Sequence, residues 1–183
     1  MNQSLSPRMS DTFAKRAELA YQEGNLEEAA AAYEEAAKAY AAQGDSILAA
    51  EMWNNCGVVL IKLERGKEAL SMITPTLQTF QEHGDCERLG IAYGNLAAAL
   101  EICGNAQEAE EAYLKAAELL RECDKAELRL YALKALSHLQ LKQGKQLQAL
   151  ATFRSALEET PRPSLQHRAL KKLLEIPWKL LSK

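Results

Sequence analysis

Two asparagines, Asn55 and Asn95, stand 40 residues apart in the chain. A side-chain amide both donates and accepts, so such a pair could clasp successive peptide units of an extended ligand without reading its side chains. Related offsets place apolar Val58, Ala98 and Ile102 beside basic Lys62, Lys134 and Lys142. Tyr131 and His138 are seven residues apart, two helical turns, and could flank the same ligand. For His138 the competing reading is ordinary packing or surface exposure. The chemistry on offer is recognition of another protein by mixed apolar and polar contacts.

Catalytic chemistry has no foothold. The chain holds no phosphate-binding glycine loop, paired catalytic carboxylates or nucleophile elbow, so no enzyme is expected. Cys56, Cys86, Cys103 and Cys123 are widely spaced and form no C-x-x-C pair. They read as reduced, small core residues. His83 and His167 lack cysteine or carboxylate partners at metal spacing, so neither a metal site nor a cofactor is proposed. A net charge of −3 gives no general attraction to nucleic acid. Of the 183 residues 48% are hydrophobic and 26% charged, which excludes compositional disorder. No apolar run approaches the ~20 residues of a spanning helix, and the first residues lack the apolar core of a secretory signal. A soluble, helical, cytoplasmic protein is expected.

The elements that must position these residues are written in a repeat of 40. Phe13, Trp53, Tyr93 and Leu133 form a large apolar column, followed four residues later by small Ala17, Gly57, Ala97 and Ser137. Ala29, Ala69, Ala109 and Ala149 give alanine four times, then Tyr33, Ile73, Tyr113 and Phe153 are bulky again. Residues four apart share a helical face, so a ring on one helix can sit over a small residue on its neighbour. Each unit reads as two helices, with a turn at Gly24, Glu64, Gly104 or Gly144. Glycine suits the left-handed residue that ends a helix, so Glu64, with Gly66 nearby, predicts a different turn in the second unit. Asp or Ser after Gly44 and Gly84 is expected to cap the next helix. The predicted helices are 10–23, 26–42, 46–63, 67–82, 86–103, 106–122, 126–143, 146–159 and 165–176. Pro75 predicts a kink or irregular turn within the fourth.

Trp53-x-x-Cys56-Gly57-x-x-Leu60, followed by Ala69-x-x-x-Ile73, resembles the tetratricopeptide signature. The third unit resembles it at Tyr93, Leu96, Ala97, Ala109, Tyr113 and Ala116. The fourth does so at Leu136, Ala149, Phe153, Ala156 and Pro161. The usual repeat is about 34 residues, so 40 is similar to the longer-repeat branch of kinesin light chains, cell-polarity scaffolds and bacterial regulator sensor domains. The resemblance implies an all-α, right-handed superhelical solenoid of four helix hairpins, its concave groove lined by the first helix of each pair. It also implies a groove role for Asn55 and Asn95, since many such grooves place asparagine there. The basic clamp of chaperone-binding members is not matched, because Glu18, Ile91 and Asn95 stand where it needs other groups.

The expected organisation is a flexible leader at 1–9, repeats at about 10–45, 46–85, 86–125 and 126–161, and a C-terminal capping helix and tail at 162–183. An array exposes an apolar face at its end, which Leu165, Ala169, Leu170, Leu173 and Leu174 could cover. The tail Ile176-Pro177-Trp178-Lys179-Leu180-Leu181 could pack back on that cap, meet a partner or touch a membrane surface; back-packing is preferred. Residues 1–45 carry four basic and eight acidic side chains, and 161–183 six basic and one acidic. The leading expectation is therefore a non-catalytic scaffold binding a peptide or helix of a partner protein. The alternative is a homo-oligomer joined head to tail by its acidic and basic ends.

Overall fold

A computed structural model describes residues 8–158. Eight helices follow one another: α1 (Met9–Gln22), α2 (Leu26–Ala42), α3 (Ser46–Lys62), α4 (Gly66–Glu82), α5 (Cys86–Ile102), α6 (Ala106–Glu122), α7 (Ala126–Lys142) and α8 (Gln146–Glu158). No strand occurs among the described residues. Each helix packs chiefly on its chain neighbours, while α3 also touches α5 and α5 touches α7. The result is an all-α solenoid whose α3, α5 and α7 share one face. The predicted capping helix, the tail and the basic end lie outside the described residues, as do residues 1–7 of the expected leader. Arg8 and Met9, also expected in that leader, belong to the start of α1: Arg8 is its N-cap and pairs with Asp11 and Asp45.

The columns of the repeat become the core. Ala17, Ala29, Ala69, Ala97 and Ala109 are fully buried, as is Ile73. Small residues let adjacent helices approach closely enough for Tyr33, Ile73 and Tyr113 to lie across them. A β-carbon built on Gly57 would stand 2.4 Å from Ile73 Cγ1, so α3 and α4 meet at the one side chain that glycine omits. Ser137 uses the same position differently: its hydroxyl donates to the Ala149 carbonyl at 2.8 Å, tying α7 to α8. Burying a large apolar side chain contributes about 1.5–3 kcal/mol, so the bulky column carries much of the stability. Phe13, Trp53 and Tyr93 are half-buried against the core and Leu133 is fully within it, so one column serves one purpose in every unit.

The turn at Glu64 departs from expectation. Glu64 adopts φ 59°, its N–H donates to the Ile61 carbonyl at 3.0 Å, and Arg65 N–H donates to the Leu60 carbonyl at 2.9 Å. The Gly24, Gly104 and Gly144 turns close in the same way, for example Asn25 N–H to the Ala20 carbonyl at 2.8 Å. The paired backbone bonds of this helix ending prevail over the side-chain preference of its left-handed residue. Gly66 is instead the first residue of α4. There its missing β-carbon would meet Ile102 Cγ2 at 2.8 Å and the Ala99 carbonyl at 3.0 Å, so it serves close approach to α5.

Two local expectations change as well. Helix α4 runs unbroken through Pro75, and no irregular turn forms; buried Ile73, Thr76 and Phe80 hold it on both sides of the proline. Of the expected caps only Asp85 acts as one, accepting from Arg88 N–H at 2.9 Å. The Asp45 carboxylate makes no cap bond and takes the Arg8 guanidinium at 2.9 Å instead.

Candidate functional site

The face shared by α3, α5 and α7 carries three hollows. The first, about 280 Å³, is walled by Glu51, Asn54, Asn55, Phe80, Arg88 and Ile91. The second, about 310 Å³, includes Ile91, Asn95, Tyr113, Leu128, Tyr131 and Ala135. The third, about 500 Å³, lies where these helices end and is lined by Ile61, Ala98, Glu101, Ile102, Leu139 and Lys142, with Gln143 beside them. Ile91 belongs to both the first and the second.

These hollows bring five of the sequence-predicted residues onto one surface. Asn55 is half-buried, and its amide makes no hydrogen bond among the described residues. Asn95 is half-buried too, but its Nδ2 donates to Asn54 Oδ1 at 3.3 Å. Tyr131 is 68% exposed beside Asn95, and Ala98 and Ile102 wall the third hollow. The remaining four, Val58, Lys62, Lys134 and exposed His138, line none of the three hollows, although Lys134 touches Tyr131 at the edge of the second. Lys62 lies over the Tyr21 ring at 4.8 Å, and Lys134 over the Tyr131 ring at 5.9 Å. Each cation is drawn to the negative face of a ring.

The partners that repeat-column counting missed are Asn54, which is 6% exposed, and Glu101. A signal for them was present. Asn54 and Asn95 are 41 residues apart, as are Glu101 and Lys142 and the pair Tyr21 and Lys62. Whereas Arg88 reaches Glu51 on the same face across 37 residues, these three contacts run at the repeat length plus one. A search for complementary side chains at that spacing would have found all three pairs.

The charged side chains of Glu51 and Arg88 at the first hollow are paired with one another. Arg88 bridges Glu51 at 2.9 Å and Asp85 at 2.6 Å, closing one side of the first hollow with one guanidinium shared by two carboxylates. Burial raises the Asp85 carboxyl, but the backbone bond and guanidinium of Arg88 outweigh it and hold the group below its ordinary range. Burial, followed by the charge of Glu34, pushes the Cys56 thiol up to about 11. Burial and neighbouring Cys86 push Cys123 to about 11 as well. Neither is an activated thiolate. Among the described residues no three His, Cys, Asp or Glu side chains are grouped to hold a metal ion. No helix there is long and apolar enough to cross a membrane.

Residues 88–158 match the family model of the tetratricopeptide repeat. The third and fourth units are tetratricopeptide repeats. No curated protein sequence matches the chain. Among solved structures, BtubC (BKLC) from P. vanneervenii is similar with a TM-score of 0.72 and 22% identity, over 88% of this chain and 72% of that one. A Rap protein complexed with Competence and Sporulation Factor gives 0.73 and 17%, over 86% and 45% of the respective chains. The apo form of RapI gives 0.74 and 16%, over 91% and 46%. The matched region thus spans under half the length of the two Rap chains. At these identities the likeness concerns the fold alone, and it spans most of this chain.

Proposed function

We propose that the chain is a non-catalytic scaffold that binds a peptide or helical segment of another protein along the face of α3, α5 and α7. Continuity carries this reading. Ile91 walls both the Asn55 and the Asn95 hollows, so the two are immediate neighbours and one elongated ligand lying from α3 to α7 over Ile91 would reach both. Asn55 offers an uncommitted donor and acceptor for a ligand backbone. Tyr131 offers a large aromatic surface of the kind that dominates binding energy at protein interfaces. Asn95 has a double part, since it also satisfies buried Asn54. The Rap neighbour complexed with Competence and Sporulation Factor adds that this fold can accommodate a second molecule.

The test is affinity capture with the intact chain beside Asn55→Ala/Tyr131→Ala. Proteins bound by the first and lost from the second, at an unchanged melting temperature, are the expected ligands. Identical capture by both proteins would overturn the reading. Asn95→Ala is unsuited to this comparison, because it removes the donor to a buried carbonyl and lowers stability as well.

A further inference from the structure

The third hollow has a chemistry that the asparagine-lined stretch lacks. Its walls are largely apolar, from Ile61, Ala98, Ile102 and Leu139, while Glu101 and Gln143 bring two acceptors to it. The Glu101 side chain is only 18% exposed. Tyr113, on α6, donates its hydroxyl to Glu101 Oε1 at 2.8 Å and fixes the carboxylate on the face of α5. Gln143 donates through Nε2 to the Ala106 carbonyl at 3.3 Å, which leaves its Oε1 as an acceptor. That oxygen has no partner among the described residues and is closed off from solvent, so a ligand in the hollow meets it once the Gln143 side chain turns outward. An unpaired buried acceptor is costly and is satisfied by a donor. Helices α3, α5 and α7 all end at this hollow while α6 begins there at Ala106, so opposing helix termini meet and the Glu101 carboxylate is the charge that favours a cation.

We propose that this hollow is a binding site for an arginine side chain of the partner, whose guanidinium is shared between Glu101 and Gln143. The proposal deepens the scaffold reading and rests on it for the partner. Arginine fits because its planar fork presents five donors, enough to serve a carboxylate and a separate amide oxygen at once. Its alkyl stem lies along Ile102 and Leu139. Lys142 occupies the charge position in the free protein, 3.4 Å from Glu101 Oε2 and 59% exposed. That is longer than a strong charge-assisted bond, which is about 2.7–2.9 Å. The lysine is a placeholder that swings to solvent when the guanidinium arrives.

The probe is the capped tripeptide acetyl-Ala-Arg-Ala-amide, titrated into the full ¹⁵N-labelled chain, with its citrulline and lysine counterparts in parallel. Citrulline keeps the shape of arginine and removes the charge. The expected result is saturable shifts at the Gln143 side-chain amide and at the Glu101, Ile102 and Lys142 backbone amides. The arginine peptide should bind about tenfold more tightly than the citrulline peptide. Glu101→Gln, which retains an acceptor for Tyr113, should erase that preference, and Lys142→Ala should tighten arginine binding severalfold. The proposal is overturned if millimolar arginine peptide gives no saturable shifts, or if arginine and citrulline bind alike. It is also overturned if lysine binds as well as arginine, or if Lys142→Ala weakens binding. Because the capture comparison reads Asn55 and Tyr131, a failure here with differential capture there sinks the arginine site alone.

Discussion

Gly57 and Gly94 lie in the interiors of α3 and α5, yet alanine should affect them oppositely. In an exposed helix interior, replacing glycine by alanine stabilises by about 1 kcal/mol, mainly through backbone entropy. At Gly94 nothing opposes that gain, since the nearest atom to the new β-carbon is Ala116 Cβ at 4.0 Å. At Gly57 the new carbon would fall 2.4 Å from Ile73 Cγ1 and 2.7 Å from Cδ1, where ordinary contact begins near 3.4 Å. Ile73 is fully buried and Cγ1 is not a free end, so side chain and helix must both shift. Such overpacking costs about 1–3 kcal/mol, and a displacement near 1 Å belongs in the upper part of that range. The net expectation is a loss of about 1–2 kcal/mol for Gly57→Ala and a gain of about 1 kcal/mol for Gly94→Ala. Each kcal/mol should move the thermal midpoint by about 2–4 °C in a domain of this size. Urea unfolding followed by far-ultraviolet circular dichroism measures both variants under one protocol, with equal slopes required for the comparison. Alanine already stands opposite flat rings in the first and third units, so Gly57→Ala/Ile73→Tyr should recover part of the loss. Two variants displaced in the same direction would refute the close packing argued for α3 and α4.

Three further outcomes follow from local chemistry. Glu64→Gly should stabilise by about 1 kcal/mol, because it relieves a left-handed non-glycine residue, and Asp124→Gly by less, since aspartate tolerates that conformation better; an unchanged urea midpoint for Glu64→Gly would contradict this. Asp85→Ala should cost about 1 kcal/mol through loss of the α5 cap. Its folded-state pKa is depressed, so the stabilisation is present above the ordinary value of 3.8 and vanishes as pH falls through the lower folded value. Wild type and variant should therefore converge in acid melts, and a constant gap would refute the assignment. Cys56, buried and raised to about 11, should react with iodoacetamide more slowly than half-buried Cys86 and Cys103, as read by mass spectrometry of the native protein.

The helices were legible because two signals coincided: a 40-residue column pattern and a glycine at five of the seven joints between helices. Every described helix begins within one residue of its predicted start, and α1 to α7 end within one residue of their predicted ends. The Glu64 turn was misread because glycine was treated as the cause of the turn, whereas the paired backbone bonds form with glutamate as well. The recognition face was only partly legible. Counting down a column aligned Asn55 with Asn95, but neighbouring first helices are offset, so Asn95 reaches Asn54. The same offset hid the partners of Lys62 and Lys142, which the column offsets placed only as basic groups facing a ligand.

That offset means the four units are not interchangeable modules. The joint between the first and second is labelled by a ring and a cation, the next by two amides, and the last by an acid and a base. Excising residues 86–125 would preserve the 40-residue phase yet bring Ala135 to the place of Asn95, stranding the Asn54 carbonyl. Order along the array is thus encoded pair by pair, and a reshuffled chain would carry mismatched seams although each hairpin stayed intact.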